Sequence, residues 1–356
     1  MNFELICVIT VLVCIMITAS EFLMHYFLAK NLMSEKANYK DARRKLECFI
    51  RGALDAPTAR CAEYEISSIA SLIGTNDVYY DMASDIFDRY RGEGEDDGAV
   101  SSIEKGINGI VHPVDIFAGM LNDGSVYQKS HACRRLADLE AYDYTDKIAE
   151  YIGSRDRDLA YNAGMALAQL GNSELVAKYI ISIQNDKSYS NRIVDELFGV
   201  FSGDRTKLAQ LSFDNCNDYM KTTIIKAIEP YKLEAFRPVF LAGAVGNDKR
   251  LKISCVKALG AFGDERDEQL LQMAAVDNDW VIRASAVRGL SKFTTHTALE
   301  TVKFAIYDKE WWVRRTAASC LISMKVPASV LEEILGGSDR FAADALKSEL
   351  YRNVGL

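Results

Sequence analysis

An apolar position recurs about every 31 residues through the C-terminal two thirds of the chain. The recurring residues, called anchors below, are Leu136, Leu167, Leu197, Ile228, Leu259, Leu290 and Leu321. Mostly small residues stand four positions before the anchors, and mostly apolar residues stand eight before. Because positions four apart share one face of an α-helix, the pattern predicts one amphipathic helix per repeat, narrow enough in the middle for a neighbouring helix to approach closely.

Polar residues at a constant distance from the anchors predict where each of these helices begins. Eleven positions before the anchors stand Ser125, Asp156, Asp186, Asn217, Asp248, Asp279 and Glu310. The first six are good helix N-caps, and a glutamate suits the positive end of a helix. Basic residues follow four positions later in most repeats, so Lys252 and Arg283 are predicted to pair with the caps of their own helices. We interpret this basic column as structural rather than as a binding stripe, because the caps supply a matching acidic column.

A second helix is predicted between successive anchors. The segments with helical spacing are 173–183, 233–244, 267–276, 295–307 and 327–335. Two helices in about 31 residues cannot each bury an apolar face alone, so the repeats must stack into a solenoid. We therefore predict an all-α fold, an α-α superhelix over 99–356, in which 113–121 belongs to an earlier, less regular unit and 340–352 forms the last helix.

The first 30 residues are predicted to form a transmembrane anchor. Residues 5–19 carry no charge, and the apolar stretch from Phe3 to Leu28 has 26 residues, enough at about 1.5 Å each to cross a hydrocarbon core of about 30 Å. Basic residues follow it, which predicts an outer N-terminus and a cytoplasmic solenoid. A signal peptide is one alternative, although the acidic Glu4 near the start disfavours it, and a buried soluble helix is another.

Between the anchor and the solenoid, residues 31–98 are predicted to form a helical stalk and connector. The connector ends in the acidic run 91–98 (RGEGEDDG), which we interpret as an exposed loop or linker. Glu21 and His25, four residues apart near the inner end of the anchor, are candidate contacts for a membrane partner. Interfacial snorkelling of the two side chains is the alternative explanation.

The composition and the absence of known motifs disfavour several classes of function. Lys and Arg number 42 against 50 Asp and Glu, a net charge of -8 that disfavours nucleic acid as the partner. The eight cysteines form no CxxC pair, and phosphate-loop, dinucleotide, zinc-peptidase and hydrolase-elbow motifs are absent from the sequence. We therefore expect no catalytic residue, cofactor, metal or small-molecule substrate.

Tryptophan is the residue type that best indicates a binding surface. Trp280 and Trp311 stand 31 residues apart in the same repeat column, and Trp312 follows directly. The three are therefore expected on one edge of the solenoid, either buried against the preceding turn or exposed as anchors for a protein partner.

Two segments carry a resemblance to a known family. Residues 277–290 (DNDWVIRASAVRGL) and 308–321 (DKEWWVRRTAASCL) combine an Asp-rich turn, a Val/Ile-Arg pair and an Ala four residues before a Leu. They resemble HEAT-like repeats of the phycobilin lyase type, over about 125–324 and loosely over 99–124. The resemblance implies a superhelix that offers a concave surface to a protein, with the repeated Arg in a structural role.

These features together predict a non-catalytic, membrane-tethered scaffold or regulatory subunit that binds a protein. The architecture is similar to bacterial HEAT-repeat proteins that accompany membrane glycosyltransferases, which makes such an enzyme, or another membrane enzyme, the expected partner. An inhibitor or immunity protein that binds a soluble protein is the alternative. A HEAT enzyme of the lyase or DNA-glycosylase type is disfavoured by the anchor and by the acidity.

Overall fold

The regular structure of this chain is helical wherever the computed structural model describes it, over residues 35–186 and 191–354. The chain divides between Ser125 and Val126 into two compact units. This division lies beyond the boundary at residue 98 predicted from the sequence, and the start of the solenoid at 99 stays a prediction.

The first unit is a helical array. Its elements are α1 (35–54), α2 (Ala59–Ile73), α3 (Asp77–Gly92), α4 (Asp97–Val111) and α5 (Pro113–Asp123). Thr58, Asn76 and Asp96 cap α2, α3 and α4 with their side chains, as such residues do at helix starts. The helical character predicted for 31–98 is therefore confirmed over the part of it that the structure describes.

The second unit consists of paired helices. Its elements are α6 (Val126–Asp138), α7 (Thr145–Ala149), α8 (Arg157–Gln169), α9 (Ser173–Ile183), α10 (Arg192–Val200), α11 (Arg205–Asn215), α12 (Asp218–Ile228), α13 (Arg237–Val245), α14 (Lys249–Phe262), α15 (Glu268–Ala274), α16 (Trp280–Leu290), α17 (His296–Ala305), α18 (Trp311–Ser323), α19 (Ala328–Gly336) and α20 (Arg340–Val354). The even-numbered helices contact one another in series and form what we call the anchor layer, and the odd-numbered ones form the second layer.

The core of the second unit lies where the recurring apolar positions meet. All seven anchors are at most 1% exposed, and Ala132, Ala163, Ala286 and Ala317, four positions before their anchors, are completely buried. Gly260 of α14 and Gly289 of α16 lie so close that a Cβ on Gly260 would stand 2.6 Å from the Cα of Gly289. The narrow middle predicted for the anchor helices is confirmed, because side chains of this size let neighbouring helices approach.

The predicted pairing within each repeat is wrong, because the charged residues join successive repeats. Lys252 binds Asp277 with Nζ 2.6 Å from Oδ2, and Arg283 binds Asp308 through two contacts of 2.7 and 2.8 Å. The cap Asp279 accepts the backbone N–H of Val281, so its carboxylate is already engaged at the helix start. The long basic side chains reach forward instead, to the polar turn that precedes the next anchor helix.

The structure differs from three further predictions. Asp186 does not cap α10, which begins at Arg192 with Asn191 at its N-cap. The acidic run 91–98 is a short turn rather than a free linker: helix α3 continues to Gly92, and Arg51 binds Glu95 with Nη1 2.5 Å from Oε1. Several second helices are shorter than predicted and begin with a 3-10 turn, as at Glu234–Phe236 before α13.

The membrane anchor predicted at 1–30, with Glu21 and His25, lies outside the described residues. Within the described ranges, no helix combines the length and the apolar character that crossing a bilayer requires.

Gly260→Ala should destabilise the second unit by about 1–3 kcal/mol, because the added Cβ meets backbone that cannot move aside like a side chain. Gly199→Ala in α10 is the matched control: no atom lies within 4 Å of the added Cβ, so a gain of up to about 1 kcal/mol is expected from helix propensity. Urea unfolding followed by circular dichroism measures both. Equal effects of the two substitutions would contradict the close approach of α14 and α16.

Arg283→Met should cost about 3–5 kcal/mol, because it leaves Asp308 without its buried partner. Arg283 is buried and also donates to the carbonyls of Asp277 and Asn278. Lys207→Met is the control, since the Lys207–Glu174 pair is half exposed and its loss should cost at most about 1 kcal/mol.

The Arg283–Asp308 pair should also make the stability of the protein depend on pH. Burial disfavours the charged form of Asp308, but the hydrogen bonds from Arg283 and from the Glu310 backbone N–H outweigh it and lower the pKa of Asp308. A lowered folded-state pKa contributes stability above the ordinary aspartate value of about 3.9, and that stability is lost as the pH falls through the folded-state value. The free energy of unfolding should therefore fall less steeply between about pH 5 and 2 in Arg283→Met than in the wild type. Equal slopes in the two proteins would contradict the coupling between Arg283 and Asp308.

Candidate functional site: a tryptophan groove in the anchor layer

The three tryptophans form one exposed cluster at the start of two neighbouring anchor helices. Asp279 caps α16 and Glu310 stands at the N-cap of α18, so Trp280 and Trp311 occupy the first position of their helices. Trp280 is 38% exposed, Trp311 47% and Trp312 52%. Of the two possibilities left open by the sequence, full burial against the preceding turn is excluded.

The ring contacts differ from those suggested by the repeat columns. Trp280 stacks on Trp312, with ring centroids 6.3 Å apart and an interplanar angle of 19°. Trp311 meets Trp312 edge to face at 4.6 Å. Because successive helical residues are rotated by about 100°, Trp312 rather than the column equivalent Trp311 faces the preceding helix.

An ion pair between a half-buried arginine and a buried glutamate lies against the cluster. The guanidinium carbon of Arg315 lies 5.3 Å from the Trp311 ring centroid and 5.9 Å from that of Trp312. Its Nε is 2.9 Å from Oε1 of Glu349 in α20, a carboxylate that is 3% exposed. A cation over an aromatic face is attracted by the ring quadrupole, so the pair restrains both indoles. The ring contacts and the cation together hold the three indoles in one cluster.

Trp280 and Trp312 form one wall of a cavity of about 500 Å³, which we call the tryptophan groove. Side chains at the end of α12 and on α14, α16 and α18 line it, among them Glu229, Lys257, Trp280, Arg288, Lys292 and Trp312. Small residues, including Gly260, Ala284 and Gly289, complete the lining. The volume lies in the range of clefts that bind ligands or anchoring side chains.

The basic residues of the groove were missed in the sequence analysis. Lys257 and Arg288 stand two positions before their anchors, in a column that also contains Lys226. All three are exposed, as is Lys292 just after α16. The sequence does contain a signal for these residues, because cations recur every 31 residues in this column. A basic residue on a helix is usually only solvated, however. The sequence also does not show that Lys292 and two tryptophans face the same cavity.

Burial makes several cysteines of the second unit poor nucleophiles. Burial raises the pKa of Cys133 and of Cys255 to about 12 and that of Cys216 to about 11, so these thiols stay protonated at neutral pH. Over 35–186 and 191–354, His, Cys, Asp and Glu form no group of three or more arranged to hold a metal ion. The expected lack of catalytic activity stays a prediction.

Comparison with known proteins identifies the class. Residues 268–348, which include α15 to α19 and the groove tryptophans, match the family model of HEAT repeats. No curated protein matches the chain in sequence. Residues 268–348 of this chain thus carry HEAT repeats, and the matched segment contains the groove tryptophans Trp280 and Trp312.

Solved structures with helical repeats are similar over much of the chain but at low identity. Human deoxyhypusine hydroxylase in complex with glycerol is 12% identical, with a TM-score of 0.27 over 88% of this chain and 96% of that chain. The complex of CpcE and CpcF of phycocyanin lyase from Nostoc sp. PCC7120 is 14% identical, with a TM-score of 0.29 over 66% of this chain and 94% of that one. An engineered protein is 12% identical, with a TM-score of 0.33 over 86% of this chain and 98% of that chain. At these scores the classification rests on the family match and on the repeats themselves.

Trp311→Ala and Trp312→Ala should each cost at most about 1–2 kcal/mol of stability, because about half of each side chain is already in water. Phe240→Ala is the control for a buried aromatic residue of the same unit and should cost about 3–5 kcal/mol. Chemical denaturation followed by circular dichroism measures all three. Tryptophan losses as large as that of Phe240 would show that the cluster serves core packing.

Proposed function

We propose that this chain is a non-catalytic scaffold or regulatory subunit that binds a protein partner through the tryptophan groove. The observation that carries the proposal is the exposure of all three tryptophans of the chain in one cluster, two of which line a cavity. Tryptophan, tyrosine and arginine are enriched among the residues that contribute most to protein interfaces, and a preorganised aromatic surface loses little entropy on binding.

The proposal includes tethering to a membrane through residues 1–30. An anchor would confine the repeats to the membrane surface and raise their effective concentration near a membrane protein, so a modest interface would suffice. A membrane enzyme, for example a glycosyltransferase, is the partner that this arrangement favours. The support is the uncharged stretch 5–19 and the basic residues that follow the span.

The non-catalytic part of the proposal is supported by the sequence, which lacks phosphate-loop, dinucleotide, zinc-peptidase and hydrolase-elbow motifs, and by the raised pKa values of the buried thiols. Stacked repeats bury their apolar residues between neighbours and leave a long outer surface for contact with a partner.

Affinity capture from detergent extracts tests the function. Full-length wild type should recover a membrane protein that is depleted at least about tenfold with Trp312→Ala, the loss of roughly 1.4 kcal/mol of binding energy or more that is expected for an interface hot spot. Phe304→Ala is the matched control, since Phe304 is 72% exposed on the second layer and lies outside the groove.

Each alternative outcome contradicts a different part of the proposal. Loss of the partner with Phe304→Ala but not with Trp312→Ala would place the interface on the second layer. Recovery of only a soluble protein, by the full chain and by a chain without residues 1–30 alike, would contradict the membrane scaffold and favour an inhibitor. Release of the full chain from membranes by alkaline carbonate would contradict the anchor.

A further inference from the structure

We infer that the tryptophan groove binds an acidic, extended peptide segment of the partner. In this arrangement, carboxylates of the segment bind Lys257, Arg288 and Lys292, and an apolar side chain packs on Trp280 and Trp312. The inference rests on the proposed function, because it names the chemistry that the partner presents at the same surface.

The first argument is the unpaired positive charge. Across the described residues, no carboxylate lies within 4.0 Å of the charged atoms of Lys257, Arg288 or Lys292. Some other cations in these repeats do have such partners, as Lys252 has Asp277 and Arg283 has Asp308. Glu229 is the one carboxylate among the residues that line the groove, which leaves a local net charge of +2 in a chain whose net charge is -8. A surface of this sign attracts carboxylates.

The second argument is that the cations and the aromatic wall share one cavity. Lys257, Arg288, Trp280 and Trp312 all line the same space of about 500 Å³. A free carboxylate or phosphate needs no indole wall, whereas a peptide that carries both an acid and an apolar side chain can use both features. The exposed faces of Trp280 and Trp312 offer that apolar contact, and their stacking fixes its position.

The third argument is the spacing of the charges. Lys257 and Arg288 occupy the same column in adjacent repeats, and packed helices lie roughly 8–10 Å apart. A peptide in the extended polyproline II conformation advances about 3.1 Å per residue with three residues per turn, so acidic residues three positions apart lie on one face and would meet successive cations. The small lining residues Gly260, Ala284 and Gly289 leave room for a peptide backbone between them.

The same column disfavours nucleic acid. Before Lys226 it continues with Asp195 and Met165, and after Arg288 it continues with Ser319. Asp195 lies close enough to Lys226 for that cation to act on its pKa, so the positive row is already offset at this end. Nucleic-acid backbones require cations along an extended track, and this row is confined to the groove.

Peptide binding to the groove can be measured with the tryptophans of the protein itself. Its three tryptophans are all in the cluster, so intrinsic tryptophan fluorescence reports on this site alone. We would titrate the full-length protein in non-ionic detergent with a synthetic peptide of about ten residues, long enough to span the groove, with Glu at every third position and Phe between. The matched peptide carries Gln in place of Glu, and a single-stranded oligothymidylate of similar length is the nucleic-acid comparison.

The acidic peptide should change the tryptophan emission saturably, with an affinity that falls as salt is added. The Gln peptide should bind at least about tenfold more weakly, and Arg288→Gln or Lys257→Gln should each reduce the affinity for the acidic peptide about tenfold, as expected for loss of a charged hydrogen bond. Lys178→Gln is the matched control: this exposed lysine of α9, in the second layer, should leave the affinity unchanged.

Equal binding of the acidic and Gln peptides, or tighter binding of the oligothymidylate, would overturn the inference. Failure of the inference is distinguishable from failure of the proposed function. If Trp312→Ala loses the captured partner while Arg288→Gln and Lys257→Gln retain it, the groove binds a protein but not through acidic residues. If Trp312→Ala retains the partner, the proposed interface itself is wrong.

Discussion

The second unit depends on the contact between successive anchor helices. An isolated pair of helices in a 31-residue repeat has too little interior to cover its own apolar face, so each anchor is removed from water by its neighbours. Gly260 and Gly289 show how close this contact is, because neither position has room for a side chain where the backbones meet. The size of the residues on this face therefore controls the stacking, and the stacking in turn creates the surface on which a partner can bind.

Charge reinforces the same contact at the ends of the helices. Arg283 lies almost completely out of solvent, where it neutralises Asp308 of the next repeat and satisfies two carbonyl oxygens of the turn before its own helix. Arg314 likewise donates to the carbonyls of Asp308 and Lys309. A buried ion pair is not in itself strong evidence of stability, but its directional hydrogen bonds specify the register of one repeat on the next.

The groove is a consequence of this register. Trp280 belongs to one repeat and Trp312 to the following one, so their stacking requires the two helices at the observed distance. Arg315 and Glu349 then connect the aromatic cluster to α20, the last helix. The proposed binding surface is thus assembled from several repeats, each of which contributes residues that have no evident function alone.

Much of the fold follows from local pattern. The anchor recurrence predicted the buried positions, and Asp156, Asn217, Asp248 and Asp279 cap the helices that their positions indicated. These inferences succeed because helix periodicity and N-cap hydrogen bonds involve residues within about four positions of one another. The pattern was less reliable at α10, where the cap column pointed to Asp186 and the helix begins at Arg192.

The sequence by itself determined the helical repeat, its anchors and most of its helix starts, because each depends on neighbours along the chain. Only the tertiary structure decided the partners of the charges and the composition of the groove. Lys252 could reach its own cap or the next turn, and Trp280 could have met either Trp311 or Trp312. Those choices depend on the distance and rotation between packed helices, which no spacing within one helix specifies.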